Sequence, residues 1–334
     1  MPESRPLIIR LRHWVGDVVL SVPTLQRLDS AGYKLHLLGK GFAPQLLAGF
    51  GWQVHRLAPT LRERVAQLQE LRQSLHRDHA RKSASTEAIV FPYSLSSALE
   101  ARLAGLKACG FSTEGRSLLL GKTVPRPREG HTLEEYWSLG SAFLNEEAPA
   151  PKAVSWRNTT AAREQAHALL AGLGLSAQDA PGFILAVPYA SGTYGGQSKH
   201  WPGFSDWLSN AAASTGCAIL LCPGPGEEQA YRSDESRRII VAPGIDLGVF
   251  AALAERARLV IANDTGPGHL AAATGAATLS VLGPTDASRW GVRGRHARTL
   301  QVAQGWPSVA EVNAAIEGMM RTDMLARTVI PSDA

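Results

Sequence analysis

Short apolar runs alternate with helical repeats along most of this chain. Residues 7–11 read as a buried strand. Val18, Val19, Val22 and Leu25 follow at helical spacing, with Pro23 inside the repeat, where a kink or bend is expected. Residues 34–38 form the next strand, 42–48 a short helix and 53–57 a short strand. Leu61, Val65, Leu68, Leu71 and Leu75 make the apolar stripe of one amphipathic helix over 61–82. The sheet resumes at 87–91, and a helix follows at 95–104. A basic, proline-bearing loop spans 121–130, and another helix 133–143. This βαβ rhythm marks a doubly wound α/β sheet.

A Pro/Ala-rich stretch at 146–152 reads as a linker, which gives two domains, 1–150 and 151–322, and a tail at 323–334. The second half repeats the rhythm without repeating the sequence. Helix is expected at 160–172, strand at 183–187, then a polar, Gly-rich loop into a helix near Phe204. Strands at 218–222 and 239–241 precede a helix at 247–254. A strand–helix–strand unit covers 259–282, and a closing helix 308–320.

The chain has 334 residues and is 45% hydrophobic, enough for two full cores. No run of eighteen apolar residues occurs, and the start, MPESRPLIIRLRHW, lacks the layout of a secretion signal. Cys109, Cys217 and Cys222 have no metal or disulfide spacing, and the last two fall in or beside an apolar run as buried thiols. A cytoplasmic protein is expected. The net charge of +5 is uneven: residues 1–150 hold 19 Lys and Arg against 14 Asp and Glu, and the rest holds 15 of each. A basic first domain can attract an anionic partner, such as an acidic lipid or phosphorylated glycan, or be only a solvated surface. No aromatic RNA-binding motif or zinc knuckle supports a nucleic-acid partner.

Four stretches carry candidate chemistry. In LVIANDTGPGHLAAATGAATLSVLGPTD, residues 259–286, a buried strand turns through Asp264 and Thr265 into a helix. Pro267 suits the first helical turn, and Gly266 and Gly268 admit a ligand close to the backbone. Free N–H groups and the helix dipole then face an anion, and His269 adds a donor, so the turn reads as a phosphate seat or as an ordinary capped βα turn. Asp17, after the first strand, is either a first-turn carboxylate or a general base at the mouth of the sheet. Lys199 ends a Gly-rich loop that suits further phosphate contacts. Glu227 or Glu228 follows a strand where an acid can accept from a ribose. No Walker-type phosphate loop, dinucleotide fingerprint or metal motif occurs.

Taken together, Val15-Gly16-Asp17 with Pro23-x-Leu25, Lys199-His200-Trp201-Pro202, and Asn263-Asp264-Thr265-Gly266-Pro267-Gly268-His269 followed by Gly283-Pro284-Thr285 resemble glycosyltransferase family 9, the ADP-heptose:lipopolysaccharide heptosyltransferases. The resemblance implies a GT-B architecture, two Rossmann-like domains facing a central cleft, with the acceptor taken by the first and a nucleotide sugar, ADP-heptose, by the second. It implies metal-independent, inverting transfer to the lipopolysaccharide inner core, with no cofactor. Asp17 matches the catalytic base and Lys199 the lysine at the donor phosphates. Asp264, Thr265, Gly266, Gly268 and His269 match the donor-binding turn. Ser191 and Thr193 match hydroxyls near the diphosphate, although the loop to Lys199 is longer here. An anionic glycolipid acceptor at the inner membrane face suits the basic first domain, with Arg12, His13, Arg72, Arg81 and Lys82 as expected contacts. The alternatives are a related transferase or epimerase with another nucleotide sugar, and a non-catalytic nucleotide-binding scaffold.

Overall fold

The computed structural model describes residues 5–78, 87–175, 182–190, 192–234 and 238–328. The chain divides into two compact units, Met1–Pro151 and Lys152–Ala334. The first runs β1 (Arg5–Arg10), α1 (Val15–Ser30), β2 (Tyr33–Gly39), α2 (Ala43–Leu46), β3 (Gln53–Arg56), α3 (Leu61–Asp78), β4 (Glu87–Val90), α4 (Leu95–Leu103), β5 (Lys107–Phe111), β6 (Lys122–Val124) and α5 (Thr132–Leu144). The second runs α6 (Thr160–Leu173), β7 (Phe183–Val187), β8 (Thr193–Tyr194), β9 (Gln197–Ser198), α7 (Phe204–Thr215), β10 (Ala218–Leu221), β11 (Ile239–Val241), α8 (Leu247–Arg256), β12 (Leu259–Asn263), α9 (Gly266–Ala273), β13 (Thr278–Val281), α10 (Ala287–Trp290), β14 (Ala297–Leu300) and α11 (Val309–Thr328).

Each unit is a Rossmann-like, wholly parallel six-stranded sheet. The orders are β3-β2-β1-β4-β5-β6 and β11-β10-β7-β12-β13-β14, the same order counted from each unit's first strand. Winding runs one way from the first strand and the other way from the fourth. The loops leaving β1 and β4 therefore diverge, as do those leaving β7 and β12, and each sheet opens a crevice at its carboxyl edge. The central strands are apolar throughout: Leu7, Ile8 and Ile9 in β1 and Leu259–Ala262 in β12 are buried, as strands covered on both faces must be.

Pro23 lies inside α1, as expected, and the helix is continuous from Val15 to Ser30. Its neighbours Val19, Val22 and Leu25 are fully buried, and packing over several turns outweighs one lost hydrogen bond. Several expectations about elements are revised. The basic loop at 121–130 contains edge strand β6, and β5 and β14 carry too few alternating residues to stand out. The Gly-rich loop before Lys199 contains a small antiparallel hairpin, β8–β9, which accounts for its length. The amphipathic helix is described to Asp78, so Arg81 and Lys82 lie outside the described residues, as does Ser191. Cys109 and Cys217 are buried, and Cys222 is half-buried. Burial pushes the thiol of Cys109 up to about 11 and that of Cys222 up to about 12, so both stay protonated.

One buried cation fixes the loop after β4. Arg116 donates from Nε to Phe111 O at 2.8 Å, and through its terminal nitrogens to Pro92 O, to Ser94 O at 3.2 Å and to Ser97 Oγ at 3.1 Å. Burial lowers its pKa to about 10, which leaves it charged at neutral pH. Replacing it with Met keeps much of the volume and abandons these acceptors. Arg116→Met is expected to lose about 3–5 kcal/mol in urea unfolding, the scale for breaking a buried charged network. A loss under about 1 kcal/mol contradicts this role.

Candidate active site

In the first unit the carboxyl edge of β1 carries Asp17, at the third position of α1. It is 5% exposed. Its Oδ1 accepts from Tyr136 Oη on α5 and from Arg12 Nε at 3.4 Å. α1 has no side-chain cap, so the carboxylate also stands near the positive end of an uncapped helix. Burial by itself would lower the Arg12 pKa. The surrounding Tyr136, Asp17 and Tyr93 outweigh it and hold the guanidinium above its ordinary value.

Tyr93, in the loop leaving β4, has Arg12 over its ring at 4.0 Å and Arg126 at 3.8 Å. Glu135 accepts from Tyr93 Oη and from Arg126 Nε, the latter at 2.9 Å. Burial first, then Glu135, raises the Tyr93 pKa, so its hydroxyl keeps its proton.

A second group of cations flanks this one. Glu100 is 1% exposed and accepts from Arg64 Nη1 at 2.6 Å and Arg10 Nε at 3.5 Å. Arg10 Nη2 donates to His13 Nε2 at 2.8 Å, which places the imidazole proton on Nδ1. Lys40 lies over the exposed ring of Trp14. The edge thus gathers Arg10, Arg12, Arg64 and Lys40 around the buried carboxylates of Asp17 and Glu100, which are already engaged.

In the second unit the matching crevice is built by Asn263, the last residue of β12. Its side chain is fully buried. Nδ2 donates to Pro188 O, just after β7, and Oδ1 accepts from Trp201 N at 3.1 Å. One amide thereby closes both ends of a long loop. Lys199, two residues before Trp201, meets Asp264, one residue after Asn263, at 2.7 Å. Asp264 is 6% exposed.

Thr265, just before α9, gives it no side-chain cap, and Pro267 has no N–H, so the amides of Gly266 and Gly268 stand at an uncapped helix end. A Cβ on Gly268 would sit 3.0 Å from Ala262 Cβ and 3.3 Å from Asn263 O, so this glycine lets the helix approach its strand. His269 is buried in the next position of α9.

Two more groups line this edge. Glu227 is half-buried and its Oε2 accepts from Gly224 N at 2.9 Å, whereas Glu228 is exposed and accepts from Gly226 N at 2.9 Å. Burial, then Glu227, raises the pKa of Tyr189, which follows β7, so Glu227 is the acid that faces the neighbouring strand end. Among the described residues the buried hydroxyls of Tyr189 and Thr285 have no hydrogen-bond partner.

The structure thus gathers Arg12, His13 and Asp17 at one edge, and Lys199, Glu227, Asp264, Thr265, Gly266, Gly268 and His269 at the other. It does not bring Arg72 to the first edge. Arg72 Nη1 donates to Ala104 O at 3.0 Å, at the far end of α4, because eleven helical residues carry it about 16 Å along α3 from Leu61. Thr193 stands in the exposed β8–β9 hairpin.

Sequence reasoning missed Tyr93, Tyr136, Arg64 and Asn263 as working residues. Tyr93 and Asn263 carried a usable signal, a polar side chain at the end of an apolar strand. Tyr136 carried none, since 119 positions separate it from Asp17.

The sequence profile of Glycosyltransferase family 9 (heptosyltransferase) matches residues 71–316. The chain belongs to glycosyltransferase family 9. The structure of E. coli ADP-heptose lps heptosyltransferase II is similar with a TM-score of 0.75 at 18% identity, covering 96% of this chain and 99% of that one. E. coli heptosyltransferase WaaC with ADP gives 0.69 at 21%, covering 94% and 99%. Both likenesses show the fold, which is GT-B. Lipopolysaccharide heptosyltransferase 1 of Pseudomonas aeruginosa is 33% identical over 102 residues, and the match spans 29% of this chain and 29% of that relative's length. No described helix of this family 9 member is long and apolar enough to cross a membrane.

His13 provides a direct reading of the cationic edge. Burial, then Arg10, Lys40, Arg12 and Arg64, lowers its pKa to about 4. Because the folded value lies below the ordinary 6.5, any contribution of the neutral ring to stability is present above pH 6.5 and is lost as pH falls towards 4. An NMR titration of the free protein should find the His13 midpoint near 4. A midpoint near 6.5 would show that the cations do not converge on the ring.

Proposed function

We propose that this protein is an inverting glycosyltransferase that moves a heptose from ADP-heptose to a Kdo or heptose acceptor in the inner core of lipopolysaccharide. The observation that carries the reading is the pair of equivalent crevices, each with a buried carboxylate beside a cation: Asp17 with Arg12, and Asp264 with Lys199. One pair suits proton removal and the other suits a diphosphate. Family membership and the ADP in the WaaC neighbour support the choice of donor.

In this reading Asp17 takes the proton of the acceptor hydroxyl. The oxygen forms its bond to the anomeric carbon from the face opposite the diphosphate, and the electron pair of the breaking C–O bond leaves with ADP. Lys199 and the amides at the start of α9 bind the charge that develops on the diphosphate. Lys199 must then share its ammonium between Asp264 and the phosphate oxygens. Glu227 accepts from the ribose, and Tyr189 and Thr285 offer unpartnered hydroxyls at the same edge. The reaction uses no cofactor beyond the nucleotide sugar.

Arg10, Arg12, Arg64 and Lys40 take the carboxylates or phosphates of an anionic glycolipid. Work at the cytoplasmic face of the inner membrane fits the apolar side chains that the first unit exposes. Trp14 is 61% exposed at the end of β1, and Leu118 is 93% exposed beyond β5.

Turnover of ADP-heptose with a Kdo-bearing acceptor tests the proposal. Asp17→Asn is nearly isosteric and should lower kcat by at least about a hundredfold, within the range for general base catalysis, while donor affinity is kept. Full activity in Asp17→Asn, or transfer from UDP- or GDP-sugars in preference to ADP-heptose, contradicts the reading. Turnover that does not rise when the acceptor is presented in anionic vesicles removes its membrane part.

A further inference from the structure

The two oxygens of Asp17 are not equivalent. Tyr136 Oη and Arg12 Nε both donate to Oδ1, and among the described residues no donor is bonded to Oδ2. Tyr136 is completely buried, with its ring edge-on to Phe91 at 5.4 Å. Packing alone would be served as well by phenylalanine, and a buried hydroxyl needs a partner to offset its desolvation. Here that partner is the carboxylate. We infer that Tyr136 is a positioning residue for the base: with Arg12 it holds Oδ1, so that Oδ2 is the atom that receives the acceptor proton. This inference rests on the reading of Asp17 as the base.

The surroundings support a fixed donor. Burial first, then Asp17 and Tyr93, raises the Tyr136 pKa well above its ordinary value, so the hydroxyl keeps its proton through the working range. Arg12 is itself held over the Tyr93 ring, and Tyr93 is tied to Glu135, the residue before Tyr136 on α5. Adjacent residues of one helix therefore set both donors, Tyr136 directly and Arg12 through Tyr93.

The groups that bear on Asp17 are Arg12 from the β1–α1 segment and Tyr136 from α5, and Tyr93 from the segment after β4 acts on both of these. His13, Arg116 and Arg126 act on Arg12 in turn. Donors to the ionised carboxylate favour that form and fix its plane. In the step itself the proton passes from the acceptor hydroxyl to Oδ2, and Tyr136 neither gains nor loses one.

The test is the pH dependence of kcat/KM for the acceptor in Tyr136→Phe, with Asp17→Asn beside it. Loss of one donor to the ionised form should move the acid limb to higher pH by about one unit and lower kcat about tenfold or more, with donor Kd unchanged. A merely structural role would lower the amount of active protein and leave the limb where it was. An unmoved limb in Tyr136→Phe, beside an inactive Asp17→Asn, overturns the role of Tyr136 and leaves the base in place. An active Asp17→Asn removes the base and this inference together. Should Tyr136→Phe not fold, 3-fluorotyrosine placed at position 136 makes a stronger donor in an unchanged fold. The limb should then move to lower pH, and an unmoved limb overturns the inference.

Discussion

The reversal of winding beside the first strand of each sheet is the constraint on which the rest depends. Between β1 and β4, and again between β7 and β12, neighbouring strands send their chains to opposite faces. The carboxyl edge is left open there. The sequence fills each opening in the same way: an apolar strand ends, a carboxylate follows within the first helical turn or just before it, and the helix begins without a side-chain cap. Elsewhere α4, α5, α6 and α8 are capped by Ser94, His131, Thr159 and Asp246, whereas α2 and α7 also start without a side-chain cap. The uncapped starts of α1 and α9 coincide with the two crevices, where a ligand can take the place of a cap.

Each crevice is then set by a side chain from elsewhere in its unit. Asn263 joins the start and end of the β7–α7 loop, and that closure delivers Lys199 to Asp264 across 2.7 Å. Tyr136 and Glu135 reach from α5 to Asp17 and to the Tyr93–Arg126 pair. Arg116 fixes the segment that carries Tyr93. Cations stacked on an aromatic ring contribute about 0.5–2 kcal/mol each, so the Tyr93 cluster is a modest force that orients Arg12 rather than the source of the unit's stability. Stability comes from the apolar strands, and the polar clusters place charge.

The fold was legible because both sheets are parallel and buried, and their strands therefore read as continuous apolar runs. The turn from β12 into α9 was legible because it is local: Asp264, Thr265, Gly266 and Gly268 are consecutive or nearly so. What the sequence hid is the tertiary part. A helical repeat marks α5 but cannot tell that Tyr136 reaches Asp17, and Asn263 looks like any polar end to a strand. Arg72 misled for the opposite reason. It belongs to a basic stretch, yet the length of α3 carries it away from the edge to the end of α4. Glu227 and Glu228 were indistinguishable as adjacent acids, and they separate only once burial and Tyr189 are known.

The central claim is that the two crevices do separable work, with the nucleotide held by the second unit and the base supplied by the first. Calorimetric titration of ADP into the wild type, Asp17→Ala and Lys199→Ala tests it most directly. The account predicts that Asp17→Ala binds ADP as the wild type does, and that Lys199→Ala weakens binding at least about tenfold, the order expected for losing one charge-assisted contact. Equal loss in both variants, or wild-type binding in Lys199→Ala, would contradict it.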